Sequence, residues 1–174
     1  AGAALQNNDR NGEPGVITYT QWLNAAGTLE ADLTVTKLDD DHFWVVASDT
    51  AYGHVLTWLR RHLDGAHAFV SDQTSGYAQL NVQGPRSREL LAAVTSTDLS
   101  NAAFPFRAAR ELDLGFARVL CVRITYLGEL GYELYIPTEQ AVHVYERLVA
   151  AGEPLGLRHA GLKALASLRM EKAY

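Results

Sequence analysis

A chain of 174 residues that is 48% hydrophobic and 20% charged has ordinary globular composition and enough length to bury a core, which excludes a disordered tail, a collagen and a small disulfide scaffold. Its formal net charge of −5, with no long run of either sign, leaves no electrostatic footprint for nucleic acid or an anionic membrane. One cysteine cannot close an internal disulfide or build a Cys/His zinc site, and there is no signal-like start and no apolar run of about 18 residues, so the sequence predicts a soluble protein of a reducing compartment, the cytoplasm.

Residues 1–15, rich in Asn, Gly and Pro, read as a flexible segment. A short β-branched and aromatic strand follows at 16–19. Residues 29–36 carry the clearest period-2 pattern: Leu29, Ala31, Leu33 and Val35 alternate with Glu30, Asp32, Thr34 and Thr36, which predicts one packed and one polar face. A charged turn leads to a more apolar strand at 42–48. Val55, Leu56, Leu59 and Leu63 stand at helical spacing, predicting an amphipathic helix over 53–63. Strands are then expected at 67–71 and 77–83. After the second, Gly84-Pro85 suits a sharp exit into a helix over 85–94, with Pro85 in its first turn. Beyond a loop at 96–105, strands are expected at 110–114, 118–126 and 132–136. Helices are expected over 139–151, with Ala141, Tyr145, Leu148 and Val149 inward, and over 161–172. Helix-connected antiparallel strands predict an α+β architecture with ferredoxin-like subdomains, divided near 76–105. Neither common Gly-rich phosphate loop occurs.

Candidate chemistry is sparse. There is no G-x-S-x-G elbow, Cys121 lies among Leu120, Val122 and Ile124 and reads as core filler, and all six histidines read as surface residues without a metal-type pair. What stands out is Asp32, at the centre of a β-prone strand where a charge resists burial, and the string from Tyr126 to Glu133. The string predicts a hairpin whose glycines make the turn; it also suits a rigid presentation of an aromatic ring and a carboxylate to a flat, hydrogen-bonding ligand.

Four strings, YTQWLNAAGTLEADLTV, LNVQGPRSRELL, ITYLGELGYELYIP and SLRMEKAY, run in this order along nearly the whole chain. Together they resemble the tetrahydrofolate-binding, aminomethyltransferase-type region of dimethylglycine and sarcosine dehydrogenases, related to the T-protein of the glycine cleavage system. The resemblance implies capture of a methylene group on tetrahydrofolate, giving methylene-tetrahydrofolate. By that resemblance Asp32 is the acidic residue beside the reactive nitrogens, Thr34 its neighbour on the strand, and Tyr19 a folate-site ring. Tyr126 and Glu133 are the pair that holds the pterin, and Ser48 stands where the T-protein has an asparagine. Leu165 and Ala166 replace the Arg and Asp of the T-protein's Ala-Arg-Asp string while Arg169-Met170-Glu171 is retained, which points to the demethylating dehydrogenases. The resemblance further implies a methylamine substrate, an FAD-binding oxidase domain before this region and a small β-barrel after it, so that the 174 residues are expected to be a fragment. A stand-alone aminomethyltransferase or folate-dependent demethylase, and a non-catalytic folate-binding domain, are the alternatives.

Overall fold

The structure is a computed structural model and describes residues 13–174. Of the segment 1–15, expected to be flexible, residues 1–12 lie outside the described residues. Gly15, at φ +83°, is tied down by donating its N–H to the Lys37 carbonyl at 2.7 Å. The described residues fall into two compact units, divided between Gln73 and Thr74. This division falls just ahead of 76–105, because the strand at Tyr77–Gln83 pairs along its whole length inside the second unit.

In the first unit, β1 (Val16–Leu23), β2 (Leu29–Lys37) and β3 (Phe43–Ala47) form an antiparallel sheet in that order, followed by helix α1 (Tyr52–Arg61). The period-2 pattern holds on the packed face, where Ala31, Leu33 and Val35 are buried with Trp22 and with Val55 of α1, but the polar face is exposed only in part: Asp32 is exposed, whereas Thr36, opposite the buried Ile17, is itself buried. Leu29, expected on the same face, is exposed, since the β1–β2 register shifts between Trp22 and Leu23. β1 runs past residue 19 because Thr20 and Trp22 stand opposite Leu33 and Ala31 on the core face. Between these strands Asn24 organises the turn, its Oδ1 accepting from the N–H groups of Ala26 and Thr28 and its Nδ2 donating to Thr28 and Glu30. No strand forms at 67–71. Phe69 is 89% exposed, and among the described residues this apolar run has no partner strand to order it.

The second unit is a four-stranded antiparallel sheet in the order β4-β7-β6-β5, made of β4 (Tyr77–Gln83), β5 (Ala109–Leu114), β6 (Ala117–Val122) and β7 (Gly131–Pro137). Helices α2 (Ser87–Ala92) and α3 (Ala141–Gly152) pack on it and on each other. Leu112, Leu114, Val119, Cys121, Tyr132, Leu134 and Ile136 fill the helix-side core with Leu90, Leu91, Val144 and Leu148. Cys121 is the buried filler that its neighbours predict, and burial pushes its thiol far above the ordinary range.

Three local readings are corrected. Helix α2 begins at Ser87, not at residue 85, since Gly84 (φ +114°) and Pro85 make a turn closed by the Ser87 N–H on the Gly84 carbonyl. β6 ends at Val122: Arg123 still donates its N–H to the Ala108 carbonyl at 2.8 Å and accepts from the Arg107 N–H at 2.9 Å, but with Arg107 at φ +71° the regular pairing stops there, and the Arg123 side chain donates to the Phe104 carbonyl at 2.6 Å. On α3 the stripe Val144, Leu148 and Gly152 is buried, while Tyr145, expected inward, is exposed and bonds His159 at 3.1 Å.

His143, expected at the surface, instead stacks on Phe116 with ring centroids 3.7 Å apart, and its Nε2 is buried without a hydrogen-bond partner. This contact depends on Gly115, at φ +69°, where an added Cβ would lie 2.4 Å from His143 Nε2. Gly115→Ala is therefore expected to cost about 2 kcal/mol, read as a lower urea midpoint with an unchanged m-value.

The last helix, α4 (Leu162–Glu171), has no Gly, Asn or Pro after it, yet it closes properly. Ala173 adopts φ +56°, its N–H bonds the Met170 carbonyl, and the Tyr174 N–H reaches back to the Arg169 carbonyl. This is a Schellman closure with alanine in the glycine position.

Candidate functional site

On the first sheet, alternation sends Tyr19, Gln21, Asp32 and Thr34 to the face opposite the core. Tyr19 stands directly across from Thr34. It is also diagonal to Asp32, and its hydroxyl donates to Asp32 Oδ2 at 3.1 Å. Asp32 is exposed, which removes the conflict between a carboxylate and a central strand: the charge stays in water while Ala31 and Leu33 carry the packing. Ser48 follows the last registered pair, Leu33 with Ala47, and its hydroxyl is engaged with Thr50 at 3.2 Å. Tyr19, Asp32 and Thr34 thus share one surface, whereas nothing ties Ser48 to Asp32.

On the second unit, Glu133 projects from the face of β7 opposite the core formed by Tyr132 and Leu134. It is half-buried, with Asn81 of β4 across from it on one side and Val122 of β6 on the other. Tyr135, two residues along the same strand, donates its hydroxyl to Glu133 Oε2 at 2.7 Å, and the Gln79 side chain also bonds the carboxylate. Burial pushes the Glu133 carboxyl above the ordinary range, and these two hydrogen bonds pull in the opposite direction. Among the described residues no cation forms an ion pair with Glu133.

Tyr126 lies in the turn before β7 and is 57% exposed. The Arg169 guanidinium sits 3.8 Å from its ring centroid and also donates to the Tyr126 carbonyl. Lys172 pairs with Glu129 at 2.8 Å, so the strings at 124–137 and 167–174 meet along the end of α4. Tyr126 and the α4 side chains Leu162, Leu165, Arg169 and Met170 line an open, mainly apolar cleft of about 360 Å3 that Glu133 does not reach. Among the described residues no group of three His, Cys, Asp or Glu side chains is arranged to hold a metal ion, and no helix is long and apolar enough to cross a membrane.

Sequence reading passed over Tyr135, Gln79 and Arg169. Tyr135 carried a signal, since two residues along a strand means the same face as Glu133. Arg169 lies in the string SLRMEKAY, where local pattern gives it no role. Gln79 had no local signal, because its contact depends on the β4–β7 register.

The family model of the GCVT N-terminal domain matches residues 3–174. The chain belongs to this family. The GCVT domain is 38% identical over 156 residues to 4-methylaminobutanoate oxidase (formaldehyde-forming) of Paenarthrobacter nicotinovorans, covering 90% of this chain and 19% of that protein. It is 35% identical over 178 residues to the mitochondrial sarcosine dehydrogenase of Homo sapiens, covering 92% of this chain and 19% of the relative. The chain therefore spans about a fifth of the length of these relatives. Its fold matches the crystal structure of glycine cleavage system aminomethyltransferase T from Bartonella henselae, with a TM-score of 0.77 at 24% identity over 95% of this chain and 43% of that one. The mixed helix and antiparallel-sheet class expected from the sequence is the fold of that protein.

Proposed function

We propose that this GCVT domain is the tetrahydrofolate-binding, one-carbon-transfer region of an FAD-linked N-demethylating oxidoreductase acting on a methylamine of the dimethylglycine or sarcosine type. The observation that carries this reading is Glu133. A half-buried carboxylate with no cation beside it among the described residues loses hydration without a compensating charge, and a ligand edge bearing two N–H donors supplies what is missing. The aminopyrimidine edge of a pterin has that donor pair. Tyr126 offers the aromatic face such a ring stacks on, its π-system already backed by Arg169.

Tetrahydrofolate supplies the amine nitrogens that take up the one-carbon unit. The protein's part in that step falls to Asp32, whose exposed carboxylate can orient an amine, accept its proton and stabilise nearby cationic character. The Tyr19 hydroxyl fixes which way that carboxylate faces, and Thr34 lies beside it on the strand. FAD enters this reading as the group of a separate oxidase domain, with no residue of this chain assigned to it. A reducing compartment suits the single, buried thiol.

Anaerobic calorimetry with tetrahydrofolate tests the binding half of the proposal. Glu133→Gln keeps the shape of the side chain but turns one oxygen into a donor that faces the ligand's own donors, so affinity is expected to fall about 10- to 100-fold. An unchanged Kd in this variant would remove Glu133 from the site.

A further inference from the structure

Glu133 does not stand alone on its face of the sheet. Along β7 the next side chain on that face is Tyr135, whose hydroxyl reaches Glu133 Oε2 at 2.7 Å. Across on β4 the register sets Gln79 opposite Tyr135 and Asn81 opposite Glu133. On the other flank β6 places Leu120 beside Tyr135 and Val122 beside Glu133. The carboxylate therefore has an apolar wall on the β6 side, the Tyr135 hydroxyl beside it on β7 itself and the Gln79 amide on the β4 side, and the residues registered opposite it on the two neighbouring strands carry no charge. The titratable group that faces it is Tyr135.

We propose that Tyr135 and Gln79 are positioning residues that hold the Glu133 carboxylate ionised, so that it serves as the acceptor for a ligand's paired N–H groups. The inference rests on the folate reading above and adds to it the residues that make Glu133 an acceptor. Without them the apolar flank would favour a protonated carboxyl, which offers an O–H where the ligand also offers donors. The directions of titration agree with this geometry: burial raises the Glu133 carboxyl, the bonds from Tyr135 and Gln79 lower it, and the Tyr135 phenol is itself pushed well above its ordinary range, so it stays a donor.

Tyr135→Phe tests the assignment because it keeps the ring and removes only the hydroxyl. Two readouts are taken on the 174-residue chain: the titration midpoint of the Glu133 carboxyl by carbon-13 NMR without ligand, and the Kd for tetrahydrofolate between about pH 5 and 8. The expected result is a Glu133 midpoint raised by about one pH unit, with the acid-side loss of binding displaced upward by the same amount and affinity near pH 8 within about threefold of wild type. Gln79→Leu is expected to move both in the same direction. An unmoved midpoint overturns the inference, as does a loss of affinity equal at every pH, which is what a merely structural tyrosine would give. Absence of binding by the wild-type chain would instead overturn the folate reading, and the ligand-free midpoint would still decide whether Tyr135 holds Glu133 ionised.

Discussion

Asp32→Asn is expected to slow one-carbon transfer from an iminium donor to tetrahydrofolate by about 10²- to 10⁴-fold, the range that a positioned proton acceptor contributes. Asparagine matches aspartate in size and can still accept the Tyr19 hydroxyl, which lies 3.1 Å from Asp32 Oδ2, so the local geometry survives. What is lost is the capacity to take a proton and to face developing positive charge with a negative one. Because Asp32 is exposed and the core of its sheet lies on the opposite face, thermal stability is expected to change by less than about 0.5 kcal/mol. Rapid-quench measurement of transfer beside calorimetric affinity separates the effects. A large fall in rate with tetrahydrofolate affinity within about threefold of wild type assigns Asp32 to chemistry, and undiminished transfer removes it from that role.

Phe104→Ala is expected to destabilise the second unit by about 3–5 kcal/mol, a large part of what holds a domain of this size folded. Phe104 is fully buried although it lies in a segment without regular structure. Its ring sits 5.8 Å from that of Tyr132, the largest fully buried side chain, and its carbonyl accepts from Arg123. Truncation opens a cavity in the centre of the core, and the surrounding sheet and helices can close only part of it. Chemical denaturation monitored on the second unit reads the effect. A loss below about 1 kcal/mol would mean that the loop at 96–108 packs differently.

These two residues also mark how far the sequence could be read. Asp32 was legible because β2 has a face to bury and a face to expose, and period 2 separates the two without knowledge of any partner strand. The same holds for residues 77–83, which form β4 as the alternation of Ala78, Leu80 and Val82 requires. Phe104 was not legible: its burial comes from elements far along the chain, and a Pro-flanked phenylalanine in a loop has no periodicity to announce it. Residues 67–71 differ for the opposite reason, having strand-like composition but no strand to pair with among the described residues. Among the candidate residues, Tyr19, Asp32, Tyr126 and Glu133 are marked by strings that resemble a family, whereas the contacts that condition them within each unit come from the fold. Arg169 reaches Tyr126 from 43 residues away and Gln79 reaches Glu133 through strand register, and neither relation is written in local pattern.

The central claim is that this GCVT domain receives tetrahydrofolate. Titration of tetrahydrofolate into the nitrogen-15-labelled chain, followed by amide NMR under nitrogen, tests binding and location together. The expected result is saturable shifts in the amides of Tyr19, Asp32, Tyr126 and Glu133, with Glu133→Gln weakening the response. Amides that do not move, or shifts confined to residues away from these four, would contradict it.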